Sequence, residues 1–223
     1  MSRIARVVVP GCPHHVTQRG TNRSVIFADD TDRKKFLYCL TDWTSKTGTR
    51  IWAYCLMSNH FHLLVVPETE SSLGRCMHGA TFRYAQYFNE KYERCGRLWQ
   101  NRFFSCPVDP DRYLWVVARY IEQNPVRAGI VRTPEDWPWS SAQSHLQGKG
   151  SSVLSVTSWL AENERRDYRA FVSESGEEEA VRRSTATGRP LGASEFYVKL
   201  EELLGRRLRL SKGGRPRKET RIG

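Results

Sequence analysis

Residues 51–57 and 60–66 are two runs dense in apolar and aromatic side chains, and only Ser58 and Asn59 separate them. A two-residue gap leaves room for nothing but a tight reversal, so the pair is expected to form an antiparallel β-hairpin. Alternation along the second run adds a constraint. Residues two apart on a strand share a face, so His60 and His62 project together while Phe61, Leu63 and Val65 project the other way.

Helical periodicity flanks the hairpin on both sides. Upstream, residues 14–19 (HHVTQR) have strand character and end at the turn signal Gly20, Thr21, Asn22. Asp30 or Thr31 can then cap a helix whose Phe36, Leu37, Leu40 and Trp43 share one face, as far as Lys46, Thr47 and Gly48. Downstream, Ser71 or Ser72 opens a second helix with a stripe of Leu73, Met77, Ala80, Tyr84, Tyr87 and Phe88. Residues 97–108 read as a loop and a fourth strand, and a third helix covers about residues 109–124, stopped by Pro125 because a residue before proline disfavours helical dihedrals. This order predicts an α+β fold: a ferredoxin-like split βαβ unit over residues 1–147, an antiparallel sheet with helices on one face.

Beyond Gly148 the character changes, and residues 148–223 are expected to hold a linker, short helical segments and a basic tail. A helical segment lies around Trp159 to Phe171, an acidic run covers 174–179, and residues 206–221 carry many arginines and lysines against the single acid Glu219.

Charge narrows the partners. Thirty-five Lys and Arg against 24 Asp and Glu leave a formal charge of +11, which favours polyanions, nucleic acid first. No apolar run approaches the ~20 residues of a membrane span and no signal peptide opens the chain, so a cytoplasmic, nucleoid-associated location without membrane contact is expected. The six cysteines never form a CxxC pair, which argues against a zinc ribbon or a disulfide framework and for reduced, mostly buried thiols.

Two imidazoles on one strand face make half of a divalent-metal site, although the same pair also suits satisfied polar groups on a half-buried strand. In the third helix Tyr113, Val116, Tyr120 and Asn124 fall near one face. Laid over the sheet, that face would offer the Asn124 amide oxygen to the metal and the Tyr120 hydroxyl to a phosphate bound beside it. A core tyrosine and a helix-capping asparagine fit the same spacing.

Four segments taken together carry a resemblance: residues 13–20 (PHHVTQRG), 57–65 (MSNHFHLLV), 99–103 (WQNRF) and 120–129 (YIEQNPVRAG). In order and spacing they resemble the REP-associated tyrosine transposases, a branch of the single-tyrosine HUH transposases, over about residues 5–145. The resemblance implies that Tyr120 is a nucleophile and that His60, His62 and Asn124 ligate Mg2+ or Mn2+, with Gln123 in reserve because many relatives carry glutamine as third ligand. For His15 it implies a structural or DNA-contacting role. It further implies nicking and joining of single-stranded DNA with palindromic hairpins through a 5′-phosphotyrosine, by a monomer or homodimer. Arg97, Trp99 and Arg102 interleave cations with an aromatic ring, and with Arg19, Arg23 and Arg127 they are candidate DNA contacts. Residues 214–218 (GRPRK) resemble an AT-hook core, adding Arg215 and Arg217, with a weaker echo at Gly188, Arg189 and Pro190. The competing expectation is a catalytically silent binder of structured DNA or RNA.

Overall fold

The computed structural model describes residues 4–155, 159–174 and 176–209. Its first half runs β1 (His14–Arg19), α1 (Asp30–Thr47), β2 (Thr49–Leu56), β3 (His60–Pro67), α2 (Ser72–Lys91), β4 (Phe104–Pro107) and α3 (Pro110–Glu122). The strands form one antiparallel sheet in the order β2-β3-β1-β4. That is the split βαβ order expected from the sequence, with β1 inserted beside the hairpin.

Local chemistry sets the element ends. Asp29, one residue before the expected cap, accepts from the Asp32 amide at 2.8 Å and begins α1 in a capping box. Gly48 ends it at φ 62°, the left-handed conformation that glycine tolerates. A bulge between Ile51 and Ala53 breaks the alternation of β2. It lets Ile51, Tyr54 and Leu56 join one core while Ala53 and Cys55 join the other.

Both sheet faces are covered, which corrects the expectation of helices on one face alone. α1 and α2 lie together on the face carrying Val16, Phe61, Leu63 and Val65, in a core that includes Phe36, Leu40, Leu73 and Tyr84. They cross closely: a Cβ at Gly79 would lie 2.1 Å from the Trp43 ring, so only glycine fits there. α3 takes the opposite face, packing Val116, Val117, Tyr120 and Ile121 on Ala53, Cys55, Met57 and Leu64. The reason is visible in β3, where every residue after His60 is buried. A strand apolar on both sides needs a layer on each.

Pro125 does not end helical structure as expected. It occupies the first turn of a short helix, α4 (Asn124–Arg127), where its missing N–H costs no hydrogen bond. Among the described residues four further α-helices follow: α5 (Ala142–Gln147), α6 (Arg165–Ser173), α7 (Glu178–Thr187) and α8 (Ser194–Leu204). Described residues after 148 take part in the core, since Leu160, Tyr168, Val172, Val181 and Leu191 complete the layer around α3. A buried carboxylate pins that layer. Glu122 accepts from Ser141 Oγ at 2.6 Å, His145 Nδ1 at 2.5 Å and the Tyr168 hydroxyl at 2.9 Å, joining α3 to α5 and α6. Among the described residues no helix is long and apolar enough to cross a membrane. Five cysteines are buried and Cys95 is exposed, all as free thiols.

Candidate active site

The α3 face of the sheet holds a cleft of roughly 360 Å³ lined by His15, Thr17, Arg19, His60, His62, Tyr120 and Asn124, with Arg182, Thr185 and Ala186 from α7. Strand register assembles its floor. Thr17 pairs with His62 and Arg19 with His60, so alternate residues of β1 and β3 face α3. The rings of His60 and His62 lie 5.1 Å apart, and the Tyr120 ring stands edge-on to His62 at 5.5 Å and to His15 at 5.6 Å. Helix spacing and strand alternation thus bring His60, His62, Tyr120 and Asn124 into one cleft.

Hydrogen bonds decide where each imidazole carries its proton. Asn59 Nδ2 donates to the Arg23 carbonyl, which turns Asn59 Oδ1 toward His60 Nδ1 at 2.6 Å. His60 therefore donates from Nδ1 and keeps its Nε2 lone pair. His62 reaches the same state by a longer route. The Thr185 hydroxyl donates to the Val181 carbonyl at 2.8 Å, so its oxygen accepts from His15 Nδ1–H at 2.7 Å. A neutral His15 then accepts at Nε2 from His62 Nδ1–H at 2.9 Å. Both histidines of the pair present Nε2 lone pairs, as metal ligands do.

Burial keeps these rings neutral. It pushes His15 down to about 3, and burial with the Arg19 charge nearby pushes His60 down to about 4. Burial, then the neighbouring His15 and His60, holds His62 well below the usual histidine value.

Asn124 donates Nδ2 to the carbonyls of Tyr120 and Ile121 at 2.9 and 3.1 Å, which leaves Oδ1 as the amide's other atom. Gln123 is engaged elsewhere: its Nε2 donates to the Val172 carbonyl at 2.7 Å, and it lines a different cleft. Two imidazole nitrogens and one amide oxygen fit a hard divalent cation, and among the described residues no cluster of three His, Cys, Asp or Glu does so. Such a donor set carries no charge, so an anionic substrate would supply the charge balance.

The candidate DNA contacts separate in space. Arg19 is exposed at the cleft, and Arg23 is exposed beyond it. Arg127 packs its guanidinium 4.5 Å from the Tyr120 ring centre and donates to the Tyr120 carbonyl, so it braces the tyrosine. Arg97 and Arg102 are exposed on a second groove, beside α2. Trp99 packs on Phe36, Phe61 and Tyr84 and donates Nε1 to the Thr81 carbonyl at 3.0 Å, so most of its ring serves the core. Arg189 donates to the Leu208 carbonyl and is half-buried. Arg215 and Arg217 lie outside the described residues. Sequence reasoning missed Thr185 and Arg182, and no local pattern flags them, because α7 reaches the cleft only through the tertiary fold.

Taken together, a sheet with paired imidazoles on one face and a tyrosine on the covering helix places the chain among α+β proteins of the HUH type. The IS200-like transposase family profile matches residues 8–124, and the chain belongs to that family. Over 100 residues it is 33% identical to a Haemophilus influenzae protein carried under the name REP-associated tyrosine transposase. That match spans 40% of this chain and 56% of the relative, so the chain covers little more than half the relative's length. A solved structure described as a REP-associated tyrosine transposase bound to a REP hairpin shares the fold, with a TM-score of 0.54 at 19% identity, covering 71% of this chain and 96% of that one.

Proposed function

We propose that this protein nicks and rejoins single-stranded DNA bearing palindromic hairpins, with Tyr120 as nucleophile and His60, His62 and Asn124 holding Mg2+ or Mn2+. The observation that carries the reading is the shared cleft: the Tyr120 ring stands 5.5 Å from that of His62, whose Nε2 lone pair is set by its hydrogen bonds. Family membership and the hairpin-bound relative of like fold support the choice of substrate.

In this reaction the Tyr120 hydroxyl loses its proton as its oxygen attacks phosphorus, the bond from phosphorus to O3′ breaks, and O3′ takes up a proton and leaves as a free hydroxyl, so no net proton is consumed. The product is a 5′-phosphotyrosine. One phosphodiester replaces another, so rejoining to a new 3′-hydroxyl needs no nucleotide cofactor. The chemistry that a bound divalent cation supplies is neutralisation and polarisation of the non-bridging phosphate oxygens. The protein itself holds the reacting groups. β3 fixes both imidazoles, α3 carries Tyr120, α4 opens on Asn124 beside it, Arg127 braces the tyrosine, and Arg19 and Arg182 offer charge to the flanking phosphates.

Tyr120→Phe tests the assignment. With a hairpin oligonucleotide and Mn2+, the wild-type protein should form a covalent DNA adduct that survives denaturing electrophoresis. The variant should bind the hairpin equally and form none, and an adduct that persists in the variant defeats the reading.

A further inference from the structure

A second groove lies on the far side of the sheet from Tyr120, between α2 and residues 96–103, with a volume of roughly 860 Å³. Its lining contains Arg97 and Arg102, the amides of Gln18, Gln86, Asn89 and Gln100, and no aspartate or glutamate among the described residues. Two aromatic rings stand open on it. His78 and Phe82, one helical turn apart on α2, stack with centroids 5.9 Å apart and planes 17° from parallel, and Phe82 is 56% exposed. A large ring left in water on a helix whose other face already fills a core has no packing role.

Gln18 supplies the independent observation. It is only 7% exposed, and its Nε2 donates to the Asn101 carbonyl at 3.1 Å, which fixes which amide atom is which. Its Oε1 is buried and has no partner among the described residues. A buried acceptor without a donor is costly, so the site suits a ligand that brings an N–H. Arginines for phosphate, stacked rings for a flat surface and an acceptor awaiting an N–H together describe an unpaired nucleotide.

We propose that this groove is a second DNA site, which binds unpaired bases of the single-stranded substrate independently of the tyrosine cleft. The inference rests on the DNA-processing reading above. It assigns opposite faces of one strand to different tasks, since Thr17 and Arg19 of β1 line the tyrosine cleft while Gln18 lines the groove.

The test uses the full chain carrying Tyr120→Phe, so that cleavage does not enter, and fluorescence anisotropy at fixed salt. The probes are a labelled single-stranded DNA decamer of mixed sequence and the same decamer with abasic positions. Phe82→Ala should weaken binding of the first about tenfold, the loss of one base–ring stack, and leave the second unchanged. Arg97→Ala with Arg102→Ala should weaken both and flatten the salt dependence. Equal affinity of the Phe82→Ala protein for the base-bearing probe overturns the groove while leaving the DNA-processing reading standing. No binding of either probe by the parent protein also overturns the groove, while the DNA-processing reading stands or falls on the hairpin adduct. A change in sedimentation on Phe82→Ala would assign the rings to a second copy of the chain and also overturn the proposal.

Discussion

Replacing Thr185 with valine keeps the volume of a buried side chain and deletes one hydroxyl, the oxygen that accepts from His15 at 2.7 Å. His15 then has two ways to respond. If it keeps its proton on Nδ1, a buried donor is left without an acceptor, at a cost of about 1–3 kcal/mol in stability. If it moves the proton to Nε2, a donor faces His62 Nδ1 across the 2.9 Å contact, and His62 must carry its own proton on Nε2. That is the nitrogen the proposed metal would take. Lost support of this kind lowers metal affinity by about 10–100-fold. Three measurements separate the outcomes: nitrogen NMR of the imidazoles for the tautomer of His62, urea unfolding for stability, and Mn2+ titration for affinity. Thr185→Ser, which restores the hydroxyl, should behave as wild type in all three. The reasoning is refuted if Thr185→Val unfolds within about 0.5 kcal/mol of wild type, less than any unmet donor costs, while His62 still carries its proton on Nδ1.

Glu122→Ala strands two buried donors, those of His145 and Tyr168, and leaves the Ser141 hydroxyl only the longer contact to the Tyr54 carbonyl at 3.3 Å. Urea unfolding should show a loss of about 3 kcal/mol or more, and a loss under about 1 kcal/mol would mean the network does not anchor α3. Stability should also depend on pH through the buried histidines. His14 donates to the Cys12 carbonyl at 2.8 Å and accepts from the Val9 amide at 3.2 Å, and burial pushes it down to about 4. Between pH 6.5 and about 4 the unfolded chain takes a proton there that the folded protein refuses, so stability falls as pH falls, by ~3 kcal/mol for His14 alone. A melting temperature that stays flat across that window would contradict the neutral, buried assignment.

The hairpin, the strand at residues 14–19 and the first two helices were legible because each is a local pattern with a strong period. The common face of His60 and His62 followed from strand alternation alone. The side of the sheet that α3 covers did not, since an amphipathic helix packs equally well on either apolar face and the choice depends on which is already filled. Trp99 shows the same limit in reverse. Arginine and aromatic residues interleaved in sequence suggested a base-stacking ring, yet the fold turns Trp99 toward Phe36 and Phe61 and leaves the open ring to Phe82, which no motif marked. Asn124 and Gln123 are adjacent in sequence and differ only in the direction the start of α4 gives them. The Thr185 contact was out of reach, because periodicity and capping report on near neighbours only.

That last contact has a kinetic meaning. His15 and Thr185 stand 170 residues apart in the chain, so the hydrogen bond through which His15 orients His62 closes a very long loop. Contacts of such separation form only after their intervening segments are in place. A chain emerging amino-terminus first completes the sheet, then the tyrosine helix, and receives α7 well afterwards. The hairpin is therefore built early and orients His60 by itself, whereas His62 receives its tautomer only when most of the polypeptide has been made.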